Sequence, residues 1–283
     1  MDLQVTGTIP DYAAGTLYRT GPGSYEVETL KGNTFSASHW FDGFTQVHRF
    51  QIIVPPESPS AVRVLYNSKT NVNAFIEQIR RTGDLNGFCF GQKRDPCESY
   101  FKKMTSLFVP AVTSSLWMDS KDKSLPNTGV TVSPNFPSLE PSRPKDQRRN
   151  PELRYLWLKS DNEVLKEIDP ETLESIGVAS QKDLDPSLSG PLAAAHAKTD
   201  PVTGDVFNYN LNFGNKVACR VFRVSALTGK TTILAKITDA EAAYIHSLFL
   251  TENHVILCVW NSHIAAGGMK MLYTQSPGRH LTA

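Results

Sequence analysis

The chain has 283 residues, a formal net charge of +1, and 40% hydrophobic and 20% charged side chains. That length can bury a sizeable core, as one large domain or two smaller ones, and the charge balance lacks the basic excess a nucleic-acid partner requires. Four cysteines, Cys89, Cys97, Cys219 and Cys258, show no C-x-x-C spacing, so no disulfide framework is expected and the setting inferred is reducing and cytoplasmic.

The opening residues, MDLQVTGTIPDYAAG, have neither the basic nor the apolar region of a secretory leader. No apolar run approaches the roughly 18 residues that span a bilayer. Gly21-Pro22-Gly23 forms a turn too short to cradle phosphates. His39 and His48 bracket HWFDGFTQVH, where Asp42-Gly43 reads as a hairpin turn and the aromatics as packing, which weakens a metal role for both histidines. Strands are expected at 47–54 (VHRFQIIV) and 61–66 (AVRVLY), on either side of the turn-forming PPESPS.

Two helices follow. NAFIEQIRR (73–81) places Phe75, Ile76 and Ile79 on one face. DPCESYFKKMTSLF (95–108) opens with Asp95 at the N-cap, Pro96 next and Glu98 at the third helical position, a carboxylate form of the capping box. Its apolar face, with Phe101, Met104, Leu107 and Phe108, has two readings: packing against the main domain, or peripheral docking on a lipid surface through 98–108. The polar, proline-bearing stretch EPSRPKDQRRNPELR (140–154) reads as a solvated loop.

Further along, RYLWLK, EVLKEI, DVFNYNL, VACRVFRV, TTILAKI and HVILCVW read as strands, joined at tight reversals: DPETLES (169–175), DPVTGD (200–205) and SALTGK (225–230). The reversals recur roughly every 25–30 residues, so two hairpins make a unit of about 50 residues, the size of a propeller blade. An all-β propeller is therefore expected. A β-sandwich fits less well, because its turns recur at about 8–12 residues.

Two of the seven histidines lie in informative settings. His196, in GPLAAAHAKTDPVTGD, is surrounded by Ala193, Ala194, Ala195 and Ala197, which let the backbone approach an axis and leave the imidazole unobstructed. His246, in AAYIHSLFLTENHVIL, opens an apolar strand after small residues. Neutral imidazole is the commonest metal ligand and suits first-row metals including iron. The two residues stand 50 apart, unlike any compact metal motif, and a pair of core histidines satisfied by their surroundings is the simpler alternative. No G-x-S-x-G elbow, Walker loop or dinucleotide fingerprint is present.

IPDYAAGTLYRTGPGSYEV, HWFDGFTQVHRF, FGQKRDPCESYF, NTGVTVSPNFP, DPETLE, GPLAAAHAKTDPVTGD and YIHSLFLTENHVIL follow one another in the order found in the carotenoid cleavage oxygenases. The chain resembles that family from about residue 7 to about residue 275, most closely the fungal torulene and carotenoid dioxygenases. The resemblance implies a seven-bladed propeller, here incomplete with a few short helices, and Fe(2+) on its axis held by four histidines from different blades. It implies an apolar polyene as substrate, cleaved with dioxygen at a conjugated double bond into two carbonyl products. His196 matches the first ligand and His246 the second. Asp161 falls where a carboxylate, usually glutamate, supports a ligand histidine, and its shorter side chain puts that contact in doubt.

Stilbene-cleaving relatives share the scaffold and hold a phenol with a tyrosine and a lysine. Tyr100 matches the former, but 127–138 contains no lysine. A third possibility is a non-catalytic propeller fragment that binds apolar ligands or a longer relative. The expected third and fourth ligands belong to later blades, and family chains are about twice this length. The expectation is thus a partial oxygenase domain over 1–275, an off-pattern tail over 276–283 that includes His280, and compromised activity in this form. Nothing in the sequence indicates an oligomeric state.

Overall fold

The computed structural model describes residues 1–55, 62–85, 90–91, 122–139, 153–212, 217–260, 263–264 and 281–282. The expected helix at 95–108, its lipid-facing alternative, all but the last two residues of the expected loop at 140–154, Cys89, Cys97, Tyr100 and His280 lie outside the described residues.

The described residues form antiparallel sheets built of neighbouring hairpins. In the first, β1 (Asp2–Leu3), β6 (Arg63–Thr70), β5 (Phe44–Ile53) and β2 (Gly15–Ser24) lie side by side in that order. A small hairpin, β3 (Glu26–Glu28) with β4 (Thr34–Ser36), rises between β2 and β5. The second sheet orders β10 (Ser175–Ser180), β9 (Val164–Ile168), β8 (Leu156–Lys159) and β7 (Thr131–Pro134). The third orders β11 (Leu192–Ala193), β13 (Val206–Asn212), β14 (Ala218–Val224) and β15 (Thr231–Ile237), with β12 (Lys198–Thr199) also on β13. Two-residue pairs follow: β16 (Phe249–Leu250) with β17 (Val255–Ile256), and β18 (His263–Ile264) with β19 (Leu281–Thr282).

The core lies between successive sheets. Val47 of the first sheet packs with Leu156, Leu158 and Ile168 of the second. Trp157 and Leu165 of the second sheet, with Tyr155 just before β8, meet Val206, Phe222 and Val224 of the third. Tyr209, Leu211 and Val221 of the third then meet Ala242, Ala243, Ile245 and Leu248. Strands buried on both faces explain the near-continuous apolar runs of β8 and β9. This face-to-face stacking of four- and five-stranded antiparallel sheets is the blade packing of a propeller.

The helix read at 73–81 is α1 (Asn73–Thr82), with Phe75 and Ile79 buried and Gly83 closing it in the left-handed conformation. A short α2 (Gln181–Leu184), which sequence reading missed, starts at a capping box between Ser180 and Asp183. HVILCVW is strand only at Val255–Ile256, because the ladder extends no further than its partner Phe249–Leu250. Asp42-Gly43 is not a hairpin tip: Trp40–Asp42 forms a 3-10 turn that leads into β5, which pairs with the distant β2. The reason lies in Asp42, whose buried carboxylate accepts the N–H groups of Phe90 (2.5 Å) and Gly91 (2.8 Å) rather than closing a local turn.

The three predicted reversals share one construction. The first residue's carbonyl accepts the N–H of the fifth: Leu173 to Asp169, Gly204 to Asp200 and Gly229 to Ser225. In the first two, the leading aspartate's Oδ1 also accepts N–H groups two and three residues on. The fifth residue has positive φ in each, which glycine adopts freely at 204 and 229 and Leu173 adopts at 61°.

Candidate metal centre

His196 follows the buried run Ala193, Ala194 and Ala195. Two asparagines of β13 hold this run in place. Asn208 Oδ1 accepts from the Ala194 N–H and its Nδ2 donates to the Ala194 carbonyl. Asn210 does the same for Gly190, where an added Cβ would lie 2.2 Å from the Leu211 carbonyl oxygen. From the preceding sheet, Thr131 Oγ1 donates to the Ala195 carbonyl at 2.5 Å. Each contact satisfies backbone that a short segment buried off the main ladder would otherwise leave unpaired.

His246 arrives from the next unit. Ala242, Ala243, Ile245 and Leu248 anchor its segment in the core, and the Tyr209 hydroxyl donates to the Ile245 carbonyl at 2.8 Å. The two segments join directly: the His196 N–H donates to the His246 carbonyl at 3.3 Å, in a parallel bridge between His196 and Ser247. The imidazoles then lie with ring centroids 4.8 Å apart, edge to face at 69°.

Asp161 sits in the connection between β8 and β9, its carbonyl accepting the Ala193 N–H at 3.0 Å. Its Oδ1 accepts from His246 Nδ1 at 2.7 Å, so the doubted contact is made. The Tyr244 hydroxyl donates to Asp161 Oδ2 at 2.8 Å and lies 3.1 Å from His246 Nδ1. With its Nδ1 proton on Asp161, His246 keeps the Nε2 lone pair for another partner. Among the described residues, neither ring nitrogen of His196 has a hydrogen-bond partner.

Electrostatics separate the two rings. The Asp161 hydrogen bond raises the His246 pKa, against the opposing effect of burial. Burial lowers that of His196, helped by the proximity of His246 and Lys198. Burial, then the Asp161 charge and hydrogen bond, push the Tyr244 phenol far up, so it remains a donor.

His246, Asp161 and Tyr244 open on a cavity of about 330 Å³, which Trp40, Phe41 and Phe90 also line. Phe90 is the hub of an aromatic wall, 4.6 Å from His39, 4.8 Å from Phe41 and 5.6 Å from Tyr244 between centroids. Asp42, which holds the backbone of 90–91, therefore positions that wall. A concave, mainly apolar site with a few convergent polar groups suits a small hydrophobic ligand.

Three other histidines have described side chains, at 39, 48 and 254. His39 Nδ1 accepts the Phe41 N–H at 3.1 Å, His48 Nδ1 shares a hydrogen bond with the Tyr66 hydroxyl at 2.8 Å, and His254 is exposed. No cluster of three or more His, Cys, Asp or Glu residues suited to a metal occurs among the described residues. No helix among them is long and apolar enough to cross a membrane.

The sequence matches the family described as retinal pigment epithelial membrane protein over residues 1–280. It is 42% identical over 286 residues to the carotenoid dioxygenase of Neurospora crassa, covering 95% of this chain and 46% of that protein. It is 40% identical over 282 residues to the torulene dioxygenase of Fusarium fujikuroi, again covering 95% and 46%. The chain thus spans about half the length of these curated relatives. Among solved structures, a variant of Synechocystis apocarotenoid oxygenase superposes with a TM-score of 0.62 at 18% identity, over 100% of this chain and 51% of that one. Pseudomonas brassicacearum lignostilbene dioxygenase gives 0.56 at 19%, over 99% and 47%. These structural likenesses establish the incomplete, propeller-like all-β fold, and the family match completes the assignment: the chain belongs to the carotenoid oxygenase family described as retinal pigment epithelial membrane protein.

Proposed function

We propose that this chain carries the first part of the active site of a non-haem Fe(II) dioxygenase that cleaves a conjugated double bond of a carotenoid or apocarotenoid. The observation that carries the proposal is the His196–His246 pair, with Asp161 on His246, set beside an aromatic-walled cavity. Two imidazoles 4.8 Å apart, one with its Nδ1 proton engaged and one with neither nitrogen bonded among the described residues, fit a shared first-row cation. They would be two of the four ligands the family resemblance implies, the other two being expected from later blades.

When bound, ferrous iron supplies dioxygen activation, and both oxygen atoms end in the two carbonyl products. The chain's own residues do the rest. Asp161 holds the proton of His246 at Nδ1 and fixes the ring. Trp40, Phe41 and Phe90 offer flat apolar surface to an extended conjugated chain. The names of the relatives support a carotenoid-type substrate.

The test is iron binding by the purified chain under anaerobic conditions, beside His196→Ala, followed by incubation with a carotenoid and, separately, a hydroxystilbene. Iron retained by the parent and lost in the variant supports the site. A folded chain with no affinity for iron sinks it and favours a non-catalytic binding role. Cleavage of the hydroxystilbene alone would transfer the assignment to stilbene substrates.

A further inference from the structure

We propose that Tyr244 is a positioning residue: through Asp161 it fixes which nitrogen of His246 carries the proton. The inference deepens the function above and rests on His246 serving as a ligand there.

The hydrogen bonds leave one assignment. Asp161 Oδ1 and His246 Nδ1 lie 2.7 Å apart, a separation that requires a proton between a carboxylate oxygen and a ring nitrogen. That proton is the Nδ1–H, so the Tyr244 hydroxyl does not donate to Nδ1. It donates to Asp161 Oδ2 at 2.8 Å, and its 3.1 Å approach to Nδ1 is the weak arm of a shared bond. The carboxylate thus has one donor on each oxygen.

The second donor matters because rotation of an aspartate carboxylate about its last torsion is loosely restrained. A partner on each oxygen sets the plane, and the plane aims Oδ1 at the imidazole. Tyr244 is itself held by its edge-to-face contact with Phe90, whose backbone Asp42 anchors. Removing the hydroxyl while keeping the ring therefore removes the brace on Asp161 and spares the cavity wall.

The experiment reads the His246 tautomer directly, by nitrogen NMR of the full 283-residue chain with labelled histidine, free of metal and at a pH where the ring is neutral. The parent is expected to show Nδ1–H. Tyr244→Phe is expected to give a mixture of tautomers, and Asp161→Ala a larger change to which adding Tyr244→Phe contributes nothing. An unchanged tautomer in folded Tyr244→Phe overturns the inference, as does an equal further effect in the Asp161→Ala background. If Tyr244→Phe does not fold, 3-fluorotyrosine at 244 keeps the shape and alters the donor. The His246 Nδ1 resonance should then move, and a resonance that stays in place overturns the inference.

A cobalt(II) titration separates this inference from the function it rests on. Weakening by about 10- to 100-fold in Tyr244→Phe is expected. A parent that binds no cobalt but whose tautomer responds to Tyr244→Phe supports the positioning role and counts against the metal reading alone. A parent that binds cobalt with an affinity indifferent to Tyr244→Phe overturns the positioning role and leaves the metal reading intact.

Discussion

A carboxylate that accepts two backbone N–H groups ties down distant backbone, and Asp42 does this for Phe90 and Gly91. Hydrogen bonds to a charged group contribute about 1.5–3 kcal/mol each. Asp42→Ala is therefore expected to destabilise the chain by about 3–6 kcal/mol, measured by urea unfolding. Sequence reading took Asp42-Gly43 for a hairpin because that dipeptide has a strong local meaning. Its real partners lie 48 and 49 residues away. Asp161 was legible for the opposite reason: motif order and the count from the DPETLE turn place it, whatever its side-chain length. Tyr244 sat in plain view in the YIHS stretch, yet no spacing rule links a phenol to an aspartate 83 positions earlier.

The reversals between strands were the most legible elements, since Asp, Ser, Thr, Pro and Gly reveal their backbone preferences locally. Leu173 is the exception within them. It takes the left-handed conformation that glycine takes at 204 and 229, and it is fully buried against Leu156, Leu158 and Ile168. Left-handed backbone costs a leucine about 1–2 kcal/mol, whereas truncating a buried leucine costs about 2.7–5 kcal/mol. Burial wins. Leu173→Gly is thus expected to lower stability by about 2–4 kcal/mol despite relieving the backbone, and a higher thermal midpoint would contradict this. The asparagines of β13 were less legible. Asn208 and Asn210 look like polar residues in a strand, and only the fold shows them clasping the backbone before His196.

At the scale of the whole molecule, blade-sized periodicity revealed the architecture, but not how the sheets enclose charge. Lys166 is fully buried, its Nζ donating to the carbonyls of Asn71 (2.5 Å) and Pro126 (2.8 Å). Burial lowers its pKa to about 7, and burial with Lys198 lowers that of Lys159 to about 8. Both amines stay protonated in the unfolded chain up to about pH 10. Between pH 7 and 9 the unfolded state therefore binds more protons, and stability should rise with pH. Urea midpoints at pH 7 and 9 should show this rise in the parent and a smaller one in Lys166→Met. A rise as large in Lys166→Met as in the parent would show that Lys166 is not shifted as burial requires.

The backbone bridge between His196 and Ser247 also makes the imidazole pair a seam between units distant in the chain. A cation gripping both rings would act as a cross-link, closing a loop of about 50 residues much as a covalent tie does. Ligand binding to the folded state alone adds to its stability, and here the gain would be local. Stripping the metal should accelerate deuterium uptake at the His196 amide, which donates across the seam, while the β13–β14 ladder keeps its protection. A cation held there would then fasten one blade to the next.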